Sequence, residues 1–314
     1  MAAKVLLLNA LASRWKKYRS EWKRCRKKFS EQSVHDVRVA ARRLLAFYNL
    51  MRSVSPDKRV QKIRRALKKR LDELDELRDT QVLLVDVSRH IAEVPELEAF
   101  YEYLQKKERK YLRSAAKSMT SRKIGKLADW VEKTHTTLAE LPEEELAHRL
   151  LEVADEAYAR VLRRYHDVDA NRVTTIHKLR IAFKRFRYTV EIIHPLLRRF
   201  PRDHLRRMHD YQALMGDVQD MQVALQVLAE FTEAIEEPNS KRARSSSEFD
   251  KATALSVHEY YTSRLKHAVI VFLERKSEVF EFWRSSPEAA FPWEKRYGTV
   301  SHPSWHCRET SPTR

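Results

Sequence analysis

His35 is followed by Arg38, Arg42 and Arg43, and His177 by Arg180, Lys184 and Arg185, at plus three, plus seven and plus eight in both cases. Arg187 extends the second set. Side chains three and four residues apart stack along one side of a helix, so each set forms a row of cations headed by a histidine. Such a row makes or breaks no bonds; it neutralises anions. From His35 to Arg42 the helix rises roughly 10 Å, enough to touch several successive charges of one anionic chain. A polymer suits this rail better than a single ion.

The rest of each helix says what holds the rail in place. At about 100° per residue, His177, Arg180, Lys184, Arg187, Tyr188 and Glu191 share one face, while Ile176, Leu179, Phe183, Phe186 and Val190 share another. The first set likewise separates His35, Arg38 and Arg42 from Val34, Val37, Ala41 and Leu45. Tyr188 reads as core edge. Further rails are expected on the helices that begin near 57 and 202, from Lys58, Lys62, Arg65, Lys68 and Lys69, and from Arg199, Arg202 and Arg206.

Hydrolysis of a phosphate would need carboxylates that hold Mg²⁺ or a base placed near the anion, and only Asp36, Glu191 and Asp203 lie close to the rails. A non-enzymatic protein is expected. A metal at the histidines is disfavoured as well, because the flanking arginines repel a divalent cation and no second histidine stands at plus four. No cofactor is implied. Asp79 and Asp220 are expected to orient an arginine or a helix end.

The 314 residues carry a net charge of +18, concentrated in two places. Residues 34–70 hold twelve lysines and arginines against Asp36 and Asp57, and residues 172–207 hold eleven against Glu191 and Asp203. Cations clustered in this way raise the local potential and predict an anionic partner. An apolar fraction of 43% suffices for a globular core, and only three glycines leave little material for hairpins or a phosphate-cradling loop. All-helical is the expected class. Cys25 and Cys307 form no CxxC pair, which fits a reducing cytoplasm. The run VLLLNALA leads into a basic amphipathic stretch and reads as a first helix, and no segment approaches the roughly 18 apolar residues of a membrane span.

A shift of 142 residues superposes His35, Arg38, Arg42 and Arg43 on His177, Arg180, Lys184 and Arg185. A shift of 141 lays LRDTQV at 77–82 on VQDMQV at 218–223, and Asp79 on Asp220. Two signals kept in order imply an internal repeat of about 140 residues, with copies at about 4–140 and 142–284. The first copy should contain helices at about 4–29, 33–54, from 57 onward, 95–118 and 122–140. The second should contain them at about 142–165, opened by Glu143 to Glu145, then 173–194, from 202 onward, and 248–284. The polar stretch 238–251, with its KRAR, reads as a solvated loop, and the tail 285–314 lacks periodicity, so neither should join the core.

VHDVRVAARRLLAFYNLM with LDELRDTQVLL, repeated as IHKLRIAFKRFRYTVEII with LMGDVQDMQVAL, resembles the CHAD family, the conserved histidine α-helical domain. The resemblance covers nearly all of residues 4–284. It implies two helical bundles related by a pseudo-two-fold axis, with His35, Arg38, Arg42, Arg43, His177, Arg180, Lys184, Arg185 and Arg187 lining a basic central channel that binds inorganic polyphosphate. Polyphosphate granules in the cytoplasm would then be its place. The ExExK signature of the triphosphatase domain often fused to this family is absent from the sequence, which favours a stand-alone binding module. Gln219 stands where the first copy has Arg78. Nucleic acid is the competing partner; it would call for stacking aromatics among the cations, and Phe183 and Phe186 lie on the apolar face.

Overall fold

The computed structural model describes residues 2–55, 57–121, 124–236 and 251–295; the stretch 238–250 and the tail from 296 onward lie outside them. Among the described residues there are helices and no strands. The first half contains α1 (Ala3–Lys27), α2 (Glu31–Val54), α3 (Lys58–Asp72), α4 (Asp75–His90), a short 3-10 turn, α5 (Glu98–Ser121) and α6 (Gly125–Glu140). The second contains α7 (Leu146–His166), α8 (Thr174–Ile193), α9 (His204–Glu236), α10 (Lys251–Arg275), a 3-10 segment (Lys276–Glu281) and α11 (Pro292–Lys295).

The two histidine helices begin and end on local chemistry. Ser30 accepts from the Ser33 amide while the Ser33 hydroxyl accepts from the Ser30 amide, a reciprocal cap that starts α2. In the first turn of α8, Thr175 Oγ1 accepts from Asp169 N and donates to the Arg172 carbonyl, tying the preceding loop to the helix start. A 3-10 turn containing Pro195 closes α8.

Every residue of the expected apolar face of α8, from Ile176 to Val190, is fully buried. Phe183 meets Tyr211 of α9 at 4.8 Å between ring centroids, and Phe186 meets Trp283 at 5.5 Å. On α2, Val34, Val37 and Ala41 do the same work, but the fourth position is the fully buried Leu44 and not the expected Leu45, which is only half-buried at the edge of the core; α2 packs directly on α8. One hydrophobic core runs through both halves. A second, smaller core joins α4 and α5 to the later part of α9 and to α10.

Three elements depart from expectation. The basic helix of the first copy stops at Asp72 and restarts at Asp75, whereas its counterpart α9 runs unbroken for 33 residues. Glu143 does not open α7; its carboxylate accepts from the Ala3 and Lys4 amides and so caps α1, where a negative charge meets the helix dipole. The tail is also not wholly outside the core. Trp293 is 4% exposed, stacks on Phe291 at 4.5 Å and packs on Trp283 and His204. Two aromatic rings that plug a corner need no periodic pattern.

Candidate functional site

α2, α4, α8, α9 and α10 enclose a cavity of about 1490 Å³. Arg38 and Arg42 reach it from α2, and His177, Arg180 and Lys184 from α8, so members of both predicted rails share one space. The facing wall differs. α4 and α9 present Asp79, Asp86, Asp217 and Asp220, and the complete lining holds nine carboxylates against seven lysines and arginines. Instead of a uniformly basic channel, the described residues form a cavity with a mainly cationic wall on α2 and α8 and a mainly acidic wall on α4 and α9.

Lys184 lies deepest in the cationic field. Burial, and then Arg42, Arg180, Arg38 and Arg187, push its ammonium down to about 7. On the acidic side, burial pushes Asp220 up to about 6, opposed by Arg180 and reinforced by Asp217, Asp79 and Asp86. Asp79 is raised by burial too, although Arg38 and Arg42 pull it back. Both aspartates thus feel the charge of arginines across the cavity.

The equivalent arginines of the two copies sit differently. Arg38 is 1% exposed; it donates through Nη1 to the Leu71 carbonyl at 3.0 Å and pairs through Nη2 with Asp75 at 2.6 Å. It bridges the break between α3 and α4. Arg180 has no such anchor. At a shift of 141 the position of Asp75 is Gly216, and a Cβ placed there would stand 3.9 Å from Arg180 Nε, which is buried without a partner. His177 Nδ1 is likewise buried and unpartnered.

The other predicted residues lie elsewhere. His35 is not part of the lining; burial, then Arg78, lowers its imidazole below the ordinary value. Arg43 pairs with Glu191 at 3.5 Å. Arg187 is buried, donates to Gln212 at 2.9 Å and stacks on Tyr188 at 4.6 Å, so both belong to packing. Arg185 lines a separate cavity.

Lys58, Arg65, Lys68 and Lys69 are exposed on the outer side of α3, because Val60, Ile63, Leu67 and Leu71 take the inner side. Arg199, Arg202 and Arg206 make no rail. Pro195 and Pro201 delay α9 to His204, leaving Arg199 in the left-handed region at φ 52 and Arg202 in the turn before the helix. Arg206 alone is on α9, and it is exposed.

Arg89 and Arg264 line the cavity without having been singled out. Arg264 is fixed by Asp86 through two contacts of 2.7 Å. Arg78, visible only as the arginine of LRDTQV, also lines it and pairs with Glu31 at 3.2 Å. Among the described residues, no three His, Cys, Asp or Glu side chains are grouped to hold a metal ion, and no helix is long and apolar enough to cross a membrane.

The CHAD domain family model matches residues 9–229. Among solved structures, the chain is similar to the CHAD domain from the plant Ricinus communis, with a TM-score of 0.66, 20% identity, and 87% of this chain and 92% of that one covered. PptA from Streptomyces chartreusis is similar at a TM-score of 0.61 and 15% identity, with 89% and 99% covered. None of the curated proteins matches the sequence. The likenesses in structure speak for the fold, and the family match covers well over half of the sequence: the chain belongs to the CHAD domain family.

Proposed function

We propose that this protein binds inorganic polyphosphate in the central cavity, with Arg42, His177, Arg180 and Lys184 as direct contacts and with Arg38 adding to the field. One observation carries the reading. Lys184 is surrounded by Arg42, Arg180, Arg38 and Arg187, and each of them disfavours its charged form. Like charges held this close are relieved by an anion that touches several of them at once. The acidic wall limits such an anion to the side formed by α2 and α8.

Nucleic acid fits less well. Phe183 and Phe186 are fully buried and offer no face for base stacking. The protein acts as a binding module, with no role for bond cleavage. Titration of the full chain with long-chain polyphosphate should give an affinity that falls log-linearly with salt, by analogy with polyanion binding in general. The double change Arg180→Gln plus Lys184→Gln should reduce it by about a hundredfold, near the 1.4 kcal/mol per tenfold expected of two charge-assisted contacts. Equal displacement by mixed-sequence RNA, or a salt-independent affinity, overturns the assignment; shortening of the polymer in the presence of Mg²⁺ overturns the non-enzymatic reading.

A further inference from the structure

Where α2 crosses α8, the two copies face each other with unequal charge. Arg43 and Arg185 are equivalent at a shift of 142, and so are Asn49 and Glu191. On one side of the crossing Arg43 pairs with Glu191 at 3.5 Å. On the other, an amide replaces that carboxylate, and Asn49 Oδ1 accepts from Arg64 Nε at 2.7 Å. Arg185 is left among Arg160, Arg52 and Arg64, which together with burial hold its guanidinium below the ordinary value.

Arg185 opens onto a second cavity of about 720 Å³ between α7 and α8, lined also by Arg160, Arg163, Arg164 and Lys178. Asp167 is the one carboxylate of that lining, and Arg164 occupies it at 2.9 Å. Glu156, which also acts on Arg185, is shared with Arg149 at 3.5 Å. Arg160, Arg163 and Arg164 repeat at the spacing of a rail on α7. Lys184 and Arg185 are consecutive, so α8 points one cation into the central cavity and the next, about 100° around the helix, into this patch.

We infer that the α7–α8 patch holds a second stretch of the same polyphosphate chain that enters the central cavity, so that affinity grows with chain length. The inference rests on the function proposed above. A concave surface with one already paired carboxylate suits a flexible, densely charged polymer, and a chain bound at two places gains from the high effective concentration of its second stretch.

The test compares tripolyphosphate with long-chain polyphosphate on the full chain and on the variant Arg160→Gln plus Arg163→Gln, both positions lying outside the central cavity. The unsubstituted chain should bind the long polymer more tightly. The variant should lose about tenfold for the long polymer, with a shallower salt dependence, and keep its affinity for tripolyphosphate. Arg160→Lys plus Arg163→Lys should retain the long-polymer affinity. Equal loss for both ligands, or no loss for the long one, overturns this inference and leaves the central cavity standing. If the unsubstituted chain binds neither ligand, the proposed function itself falls.

Discussion

Arg38 on α2 and Arg180 on α8 stand at equivalent points of the duplicated sequence, yet one guanidinium is committed to the Leu71 carbonyl and Asp75 while the other faces the cavity beside Gly216. The cause lies outside both helices. Because α3 stops at Asp72, the Leu71 carbonyl takes the Leu74 amide at 2.9 Å in place of a further helical turn, and Arg38 gives it a second donor while holding Asp75 across the break. In the second copy α9 continues through the corresponding residues, its carbonyls are bonded within the helix, and Arg180 has nothing to repair. The same HxxR text therefore packs in one copy and faces the cavity in the other.

The sharpest way to break this comparison is to remove each arginine in turn. Arg38→Gln should lower the stability of the fold by roughly 2 kcal/mol, the cost of losing buried hydrogen bonds from a charged donor. Arg180→Gln should leave urea-induced unfolding nearly unchanged and weaken polyphosphate binding about tenfold. If Arg38→Gln unfolds no more easily than Arg180→Gln, Arg38 is not the brace described here.

What the sequence reveals and what it hides divides along similar lines. The apolar faces of α2 and α8 are legible because burial against a flat neighbour imposes a period, and Ile176, Leu179, Phe183, Phe186 and Val190 obey it. The break at residues 73 and 74 is not legible: DELDEL has neither proline nor glycine, and the brace from Arg38 to the Leu71 carbonyl joins residues 33 positions apart. The acidic wall is hidden for a related reason. Asp79 and Asp220 are recognisable one at a time, but their convergence with Asp86 and Asp217 depends on α4 meeting α9. Arg264 gives no sign at all, since nothing in the first copy repeats its surroundings.

A smaller effect should follow from restoring the missing carboxylate. Gly216→Asp places an acid where Asp75 stands in the first copy, and the space beside Arg180 accepts a Cβ at ordinary contact distance. Polyphosphate affinity should fall severalfold, with stability within about 0.5 kcal/mol of the parent because leaving glycine in a helix is slightly favourable. Gly216→Asn, of the same shape without the charge, should bind nearly as well as the parent. Equal losses in the two variants would show that size, not pairing with Arg180, controls the site.

A further effect concerns pH and centres on Lys184, whose counterpart in the first copy is an arginine, Arg42. With Lys184 held at about 7, a bound polyanion favours its charged form, so binding takes up a proton and affinity strengthens as pH falls from 8 toward 6. One proton allows at most about a tenfold gain per pH unit. Asp220, at about 6, acts in the same direction near the lower limit, because its protonation removes a negative charge from the facing wall. His35, lowered below its ordinary value, contributes at the acid end and not at the start of the window. The stability of the empty protein runs the other way. The folded state releases the Lys184 proton near 7 and the unfolded chain only near the ordinary lysine value of 10.5, so this group makes stability rise with pH across that interval. Lys184→Arg should keep binding and flatten its pH dependence between 8 and 7, whereas His35→Gln should leave that part of the curve in place. Calorimetric titration in buffers of different ionisation heat counts the proton directly, and an unaltered count in Lys184→Arg would move the titrating group away from α8.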